Sequence, residues 1–369
     1  MKCKIIAAIC AICLLLSGCS FSMLDGEYVY TQPHEDNNSL QENAAVHARN
    51  YAQLYGALAA MVESGQDQGV IIVSSYDKNR VSIDVQHASQ QLRKEHPIAA
   101  YAVSDISAEL GKTGGEDALA VQITYLHDRA EIRQIKDVKG VHQAAEKIKT
   151  AIRACDVGIV LMVRDYEAVD FVQIVENFAV QFPEHVIEQP RVTVNVYPDS
   201  GTDRVVEVGF SYQNSRDALK EMQSKVQTMF ISASLYVSAD RQEYDKYFHL
   251  QTFMMERFEF KIENSITPAY SLLLHGVGDP RAFATVYAAM CTRENLECHV
   301  VNGTRNGEAH TWNILCIDGV YYHVDLLRNG VGGEFVLLYD HQMDGYVWDY
   351  DAYPACVEPI VEETEQPEK

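Results

Sequence analysis

Two apolar runs separated by Asp318-Gly319 constrain this chain more than any other feature. Asp-Gly supplies the positive backbone angles of a two-residue hairpin turn. The flanking runs, HTWNILCI at 310–317 and VYYHVDLL at 320–327, read as its two strands. So tight a turn fixes the register: 317 faces 320, 312 faces 325 and 310 faces 327. Opposed residues share a face and side chains alternate, so His310, Trp312, His323 and Asp325 project together. His310 and Asp325 become diagonal neighbours, about 7–8 Å apart at the backbone, within reach of an imidazole–carboxylate contact. A carboxylate on one ring nitrogen fixes the tautomer and raises the basicity of the other, as a general base requires. The same residues also suit plain core packing, with Asp325 satisfied by backbone. A metal held by His310, His323 and Asp325 is conceivable on that face, but no sequence motif supports one, and no metal or cofactor is expected.

Upstream, Asp279-Pro280 opens a helical pattern, RAFATVYAAMCTREN, with Asp as N-cap and Pro at the first helical position. A strand, CHVVNGT, follows it. Helix start, then His, then Asp is the order of a thiol site on a papain-like scaffold.

The stretches AYSLLLHG (269–276) and RAFATVYAAMCTRENLECHVVNGTRNGEAHTWNILCIDGVYYHVDLL (281–327) carry a resemblance. Together they resemble the transglutaminase-like domain of bacterial surface proteins, over about residues 240–356. The resemblance implies a papain-like α+β fold, with the family's catalytic His at His310 and its Asp at Asp325. Trp312, Asn313 and His323 belong to the same motifs and are expected to border the binding cleft. Counted back without gaps, the nucleophilic Cys position falls on Pro280, and the triplet after it on Ala282-Phe283-Ala284. A thiol at a helix N-terminus is stabilised as thiolate by the macrodipole and free N–H groups. Proline offers neither nucleophile nor N–H. Cys291 lies eleven residues along the same helix, about 16 Å away at the standard rise, and Cys298 and Cys316 lie on strands. The expected domain is a degenerate, non-catalytic transglutaminase-like module that binds an envelope peptide or protein segment. Alternatives are acyl transfer through a displaced nucleophile and a purely structural spacer.

At the N-terminus, Lys2 and Lys4 precede an apolar stretch at 5–16 that ends in Leu16-Ser17-Gly18-Cys19. This resembles a bacterial lipobox, so residues 1–18 are expected to be a signal peptide and Cys19 to carry diacylglycerol and fatty acyl chains such as palmitate. An ordinary secretory signal is the other reading. Residues 19–41, polar and acidic, form a tether to the membrane, and 357–369 an acidic tail. The expected location is extracytoplasmic, on a bacterial membrane. Removing 1–18 takes two lysines and no acid, moving the formal charge from −22 to −24. Such a chain repels phosphate backbones, so no nucleic-acid partner is expected. Outside the first nineteen residues stand Cys155, Cys291, Cys298, Cys316 and Cys356. None has zinc-site spacing; a Cys298–Cys316 disulfide and buried free thiols are both open.

The remaining length, 42–238, reads as a duplicated module. A helix over 41–63 and a strand at 69–76 lead into it. A helix ending at Pro97, strands at 99–106 and 118–126 and a helix at 141–154 complete one β-α-β-β-α unit. Strands at 158–166, 191–198 and 204–212 with helices at 172–185 and 215–230 repeat the order about 90 residues on. No phosphate loop, nucleophile elbow or paired-His motif occurs there. That half is expected to be a binding or spacer module, or a scaffold for residues 239–356.

Overall fold

The computed structural model describes residues 46–237, 241–328 and 335–359. The expected signal peptide, Cys19 and the tether lie outside them, as does most of the acidic tail. Among the described residues no helix is long and apolar enough to cross a membrane. The architecture is α+β, as expected.

In chain order the first part comprises β1 (Val46–His47), α1 (Tyr51–Glu63), β2 (Gln68–Ile72), α2 (Val81–Glu95), α3 (Pro97–Ala102), β3 (Val103–Thr113) and β4 (Glu116–Tyr125). The second comprises α4 (Arg129–Arg133), β5 (Lys136–Lys139), α5 (Gly140–Arg153), β6 (Gly158–Arg164), α6 (Phe171–Gln181), β7 (Arg191–Tyr197), β8 (Arg204–Ser211) and α7 (Arg216–Ser234). Each part builds a four-stranded sheet, β1-β2-β4-β3 and β5-β6-β8-β7. In both, the first pair is parallel and the other two are antiparallel.

Three local expectations are corrected. The N-terminal helix begins only at Tyr51, because Asn50 caps it by accepting from Gln53 N–H and residues 46–47 pair with β2 instead. Pro97 does not end a helix against a strand. It opens the short helix α3, where a strand was expected, since proline is preorganised for the first helical position. Helix α5 does not close the first unit: it connects β5 to β6, so the helix order within the two sheets is β-α-β-α-β-β.

The third part comprises α8 (Glu243–Arg257), β9 (Glu259–Phe260), α9 (Tyr270–His275), β10 (Val277–Gly278), α10 (Pro280–Arg293), β11 (Cys298–Arg305), β12 (Glu308–Ile317), β13 (Val320–Val324) and β14 (Tyr346–Trp348). Its sheet runs β13-β12-β11-β14. Helix α10 is the centre: every residue from Ala282 to Cys291 is buried. A helix buried all round needs apolar residues on every face, and its four alanines let neighbours approach closely. Phe230 of α7, Tyr247 and Phe253 of α8, Leu272 of α9 and Leu315 of β12 close around it. The core of this part therefore reaches back into α7, to Val226. Tyr247, wholly buried, donates its hydroxyl to the carbonyls of Glu297 and Cys316, satisfying a polar group that would otherwise cost about 1–3 kcal/mol.

The parts are joined by packing. Tyr101 and Ala102 meet Ile132, Met162 and Val205 between the first two. Ile187 enters the third core, and Gln223 Nε2 donates to the His185 carbonyl nearby.

Candidate functional site

The hairpin folds as its turn dictates. Asp318 and Gly319 have φ of 50° and 81°, both positive as the two-residue turn demands. Ile317 pairs with Val320 and Asn313 with Val324. This brings His310 Nε2 to 2.8 Å from Asp325 Oδ2. The carboxylate is 2 % exposed and the imidazole 10 %. Asp325 Oδ2 also accepts from the Tyr346 hydroxyl at 2.6 Å and lies 3.4 Å from Arg305 Nη1. Its Oδ1 accepts from Leu327 N–H at 2.9 Å. Burial alone would raise the Asp325 pKa, but the bonds from His310 and Tyr346 prevail and hold it below the ordinary carboxylate value. Burial first, then the same carboxylate, push the Tyr346 phenol upward. With Nε2 committed to Asp325, Nδ1 of His310 is the free ring nitrogen, without a hydrogen-bond partner among the described residues. A neutral imidazole so held is a base at Nδ1.

His310 borders a cleft of about 590 Å³. Phe260, Ile262, Pro280 and Leu327 form its apolar walls, and Arg305, Asn306 and Glu308 its polar ones. Pro280 thus stands in the same cleft as the histidine, at the first position of α10. Asp279 caps that helix, accepting from Ala282 N–H at 2.8 Å. Asn313 fixes the helix to the sheet through Nδ2 and the Ala284 carbonyl at 3.0 Å. Among the described residues the cleft lining holds no Ser, Thr or Cys. The intervening sequence 329–334, Asn-Gly-Val-Gly-Gly-Glu, has none either.

Trp312, Asn313 and His323 do not border the cleft as expected. They are 1 %, 0 % and 0 % exposed. Asn313 lies on the opposite face of β12, by strand alternation, and serves as a strut. Trp312 packs edge-on against Tyr346 and Trp348 and donates Nε1–H to His323 Nδ1 at 2.9 Å. His323 Nε2 meets Asp340 Oδ1 at 2.8 Å. Because Nδ1 accepts from the indole, the proton of neutral His323 sits on Nε2 and is donated to Asp340. Burial lowers the His323 pKa against the pull of Asp340, keeping the ring neutral. Cys356 lies close to this pair, which makes His323, Asp340 and Cys356 a geometric metal candidate. The residues do not fit the role: a cation at Nε2 would require the imidazolate, since the other nitrogen already receives a proton donor. His310, Asp325 and His323 likewise divide between two separate networks.

Gly303 explains the close packing here. It sits opposite His310 in the β11–β12 ladder, and a Cβ at this position would lie 2.2 Å from the Val347 carbonyl oxygen and 2.8 Å from the Trp312 ring.

All five described cysteines are free thiols. Cys298 pairs with Leu315 rather than Cys316, so alternation puts the two thiols on opposite faces and no disulfide joins them. Cys291 is wholly buried; burial first and then Cys298 raise its pKa well above the thiol norm, the reverse of an activated nucleophile.

Sequence reasoning missed Tyr346 and Arg305, which complete the Asp325 cage, and Asp340. Tyr346 follows Asp344-Gly345, a second turn dipeptide before alternating aromatics, and that signal marks β14.

On the edge of the cleft, β9 pairs with β10 alone among the described residues. Glu259 N–H and Lys261 N–H donate to the carbonyls of Gly276 and Gly278. The N–H and C=O of Phe260 therefore face away from β10, unpaired among the described residues. Phe260 is 46 % and Ile262 78 % exposed.

The family model of the transglutaminase-like superfamily matches residues 232–326. A search of curated proteins found no match. Among solved structures, one described as a TGase is similar at 9 % identity and TM-score 0.26, covering 54 % of this chain and 61 % of that one. A proposed cysteine protease of Cytophaga hutchinsonii is similar at 13 % identity and TM-score 0.26, over 40 % of this chain and 65 % of its own. A proposed protease of Parabacteroides distasonis shows 10 % identity and TM-score 0.23, over 59 % and 35 %. This chain thus spans less than two thirds of each of those chains. The likenesses are distant, and the assignment rests on the family match. Over residues 232–326 this chain carries a transglutaminase-like domain.

Proposed function

We propose that this domain is a degenerate, non-catalytic member of its superfamily that holds an extended peptide or protein segment in its cleft. The observation that carries the reading is Pro280: the helix start that borders the His310 cleft presents a ring with neither thiol nor N–H. The unpaired N–H and C=O of Phe260 support an extended occupant, because an edge strand recognises backbone before side chain. The apolar walls supply burial for alternate side chains. The His310–Asp325–Tyr346 cage then acts as the rigid floor. The whole chain, on this reading, is an envelope lipoprotein held to a bacterial membrane through Cys19, with residues 42–238 as spacer or partner-facing module.

The test is selection of binders from a random peptide library by the soluble 42–369 chain. Phe260→Pro removes one outward N–H and is tolerated on a free edge. Selected peptides should lose about tenfold or more in affinity to this variant, whose unfolding midpoint stays unchanged. Selected peptides that bind it undiminished would refute the edge-strand reading.

A second reading is favoured by one observation: Nδ1 of His310, a residue that borders the cleft, has no hydrogen-bond partner among the described residues. Water activated there by the His310–Asp325 pair would hydrolyse an activated acyl group without a protein nucleophile.

A further inference from the structure

A second crevice, of about 280 Å³, lies between α6 and the start of α10 and shares no lining residue with the cleft. Glu176, Asn177 and Val180 of α6 face Arg281 and Thr285 of α10 and Val300 and Asn302 of β11 across it. Three observations set it apart from an ordinary junction. Arg281 is exposed, and its guanidinium makes no ion pair or hydrogen bond among the described residues. It also stands at the second position of α10, where a cation opposes the helix dipole, two residues after the Asp279 cap. Finally, the Thr285 hydroxyl, on a residue 1 % exposed, has no partner among the described residues, although buried hydroxyls are normally satisfied.

Two further lining residues carry donors. Asn177 Oδ1 accepts from Gln173 Nε2 at 3.0 Å, which leaves its Nδ2 protons free. Asn302 Oδ1 accepts from Thr311 Oγ1, which leaves its amide free as well. A guanidinium fork and two amide donors lining one crevice suit a carboxylate with an adjoining amide carbonyl. Glu176 offers the acceptor for an amide N–H, and Val180 and Val300 the contact for a small apolar side chain. We propose that this crevice is a binding site for the C-terminal residue of a peptide, with Arg281 taking the terminal carboxylate. It does not depend on what the His310 cleft binds.

The test is calorimetric titration of the full-length chain in detergent with N-acetyl-Ala-Val as the free acid and as its C-terminal carboxamide. The acid binds, and the amide binds about tenfold or more weakly, as does the acid to Arg281→Gln. Arg281→Lys, which keeps the charge but not the fork, falls between. Val180→Trp, which fills the crevice, abolishes binding while the unfolding midpoint holds. Equal affinity for acid and amide, an unaltered affinity in Arg281→Gln, or no heat up to about 10 mM would each overturn the assignment.

Discussion

Replacing Asp325 by Asn keeps the shape of the side chain and removes its charge, so it isolates what the carboxylate contributes. In the native chain that group accepts from His310, Tyr346 and Leu327 at 2.8, 2.6 and 2.9 Å. Hydrogen bonds to a charged group are worth about 1.5–3 kcal/mol each. Asn retains the Leu327 bond through Oδ1 but turns an NH₂ toward Tyr346 and His310, so two bonds are weakened and the expected loss is about 2–4 kcal/mol. The depressed Asp325 pKa fixes the sign with pH. Its contribution is present above the unfolded carboxyl value and lost as pH falls through the folded one, so the native chain and Asp325→Asn converge in acid. Chemical denaturation at neutral pH measures the difference. Nitrogen-15 NMR of His310 adds a second readout, because the Asn NH₂ requires an acceptor at Nε2 and moves the ring proton to Nδ1. A loss under about 0.5 kcal/mol, the size of a surface substitution, would refute the cage. An unmoved tautomer would refute the account of the histidine.

Gly303→Ala drives a methyl into the Val347 carbonyl and the Trp312 ring; it should destabilise by about 3 kcal/mol, with loss of the near-ultraviolet signal of the tryptophans. Glu184 is buried and, through burial first, has its pKa raised to about 7. Its neutral form therefore stabilises the fold fully below the unfolded value, and this is lost as pH rises through about 7. Glu184→Gln should gain up to about 3 kcal/mol over the native chain in denaturation at pH 8 and little in acid; an equal effect at both pH values would contradict the sign. Pro280→Cys places a thiol at the capped start of α10 beside His310, and should react with a thiol probe at neutral pH faster than any native cysteine. Labelling no faster than background would show that the helix start no longer forms the family's site.

The hairpin was legible because Asp318-Gly319 fixes register, and register fixes which side chains meet. Pro280 was legible as a helix start for the same local reason. What the sequence concealed depends on distance along the chain. Tyr346 reaches Asp325 from β14, and Asp340 reaches His323 from the 3-10 turn between β13 and β14; neither follows from periodicity. Burial was also hidden. Trp312 and His323 share the His310 face, yet the strand β14 and Trp348 cover them, so a shared face did not mean a shared cleft. In the N-terminal parts the strands were legible from their apolar runs, whereas residues 46–47 and 136–139 are too short and mixed in character to announce parallel edge strands.

The most direct test of the central claim is turnover itself: amine transfer and peptide cleavage by the soluble 42–369 chain, beside His310→Ala. The account predicts no turnover above background for either protein. Turnover by the unmodified chain that disappears in His310→Ala would contradict it and assign the cleft a reaction without a cysteine.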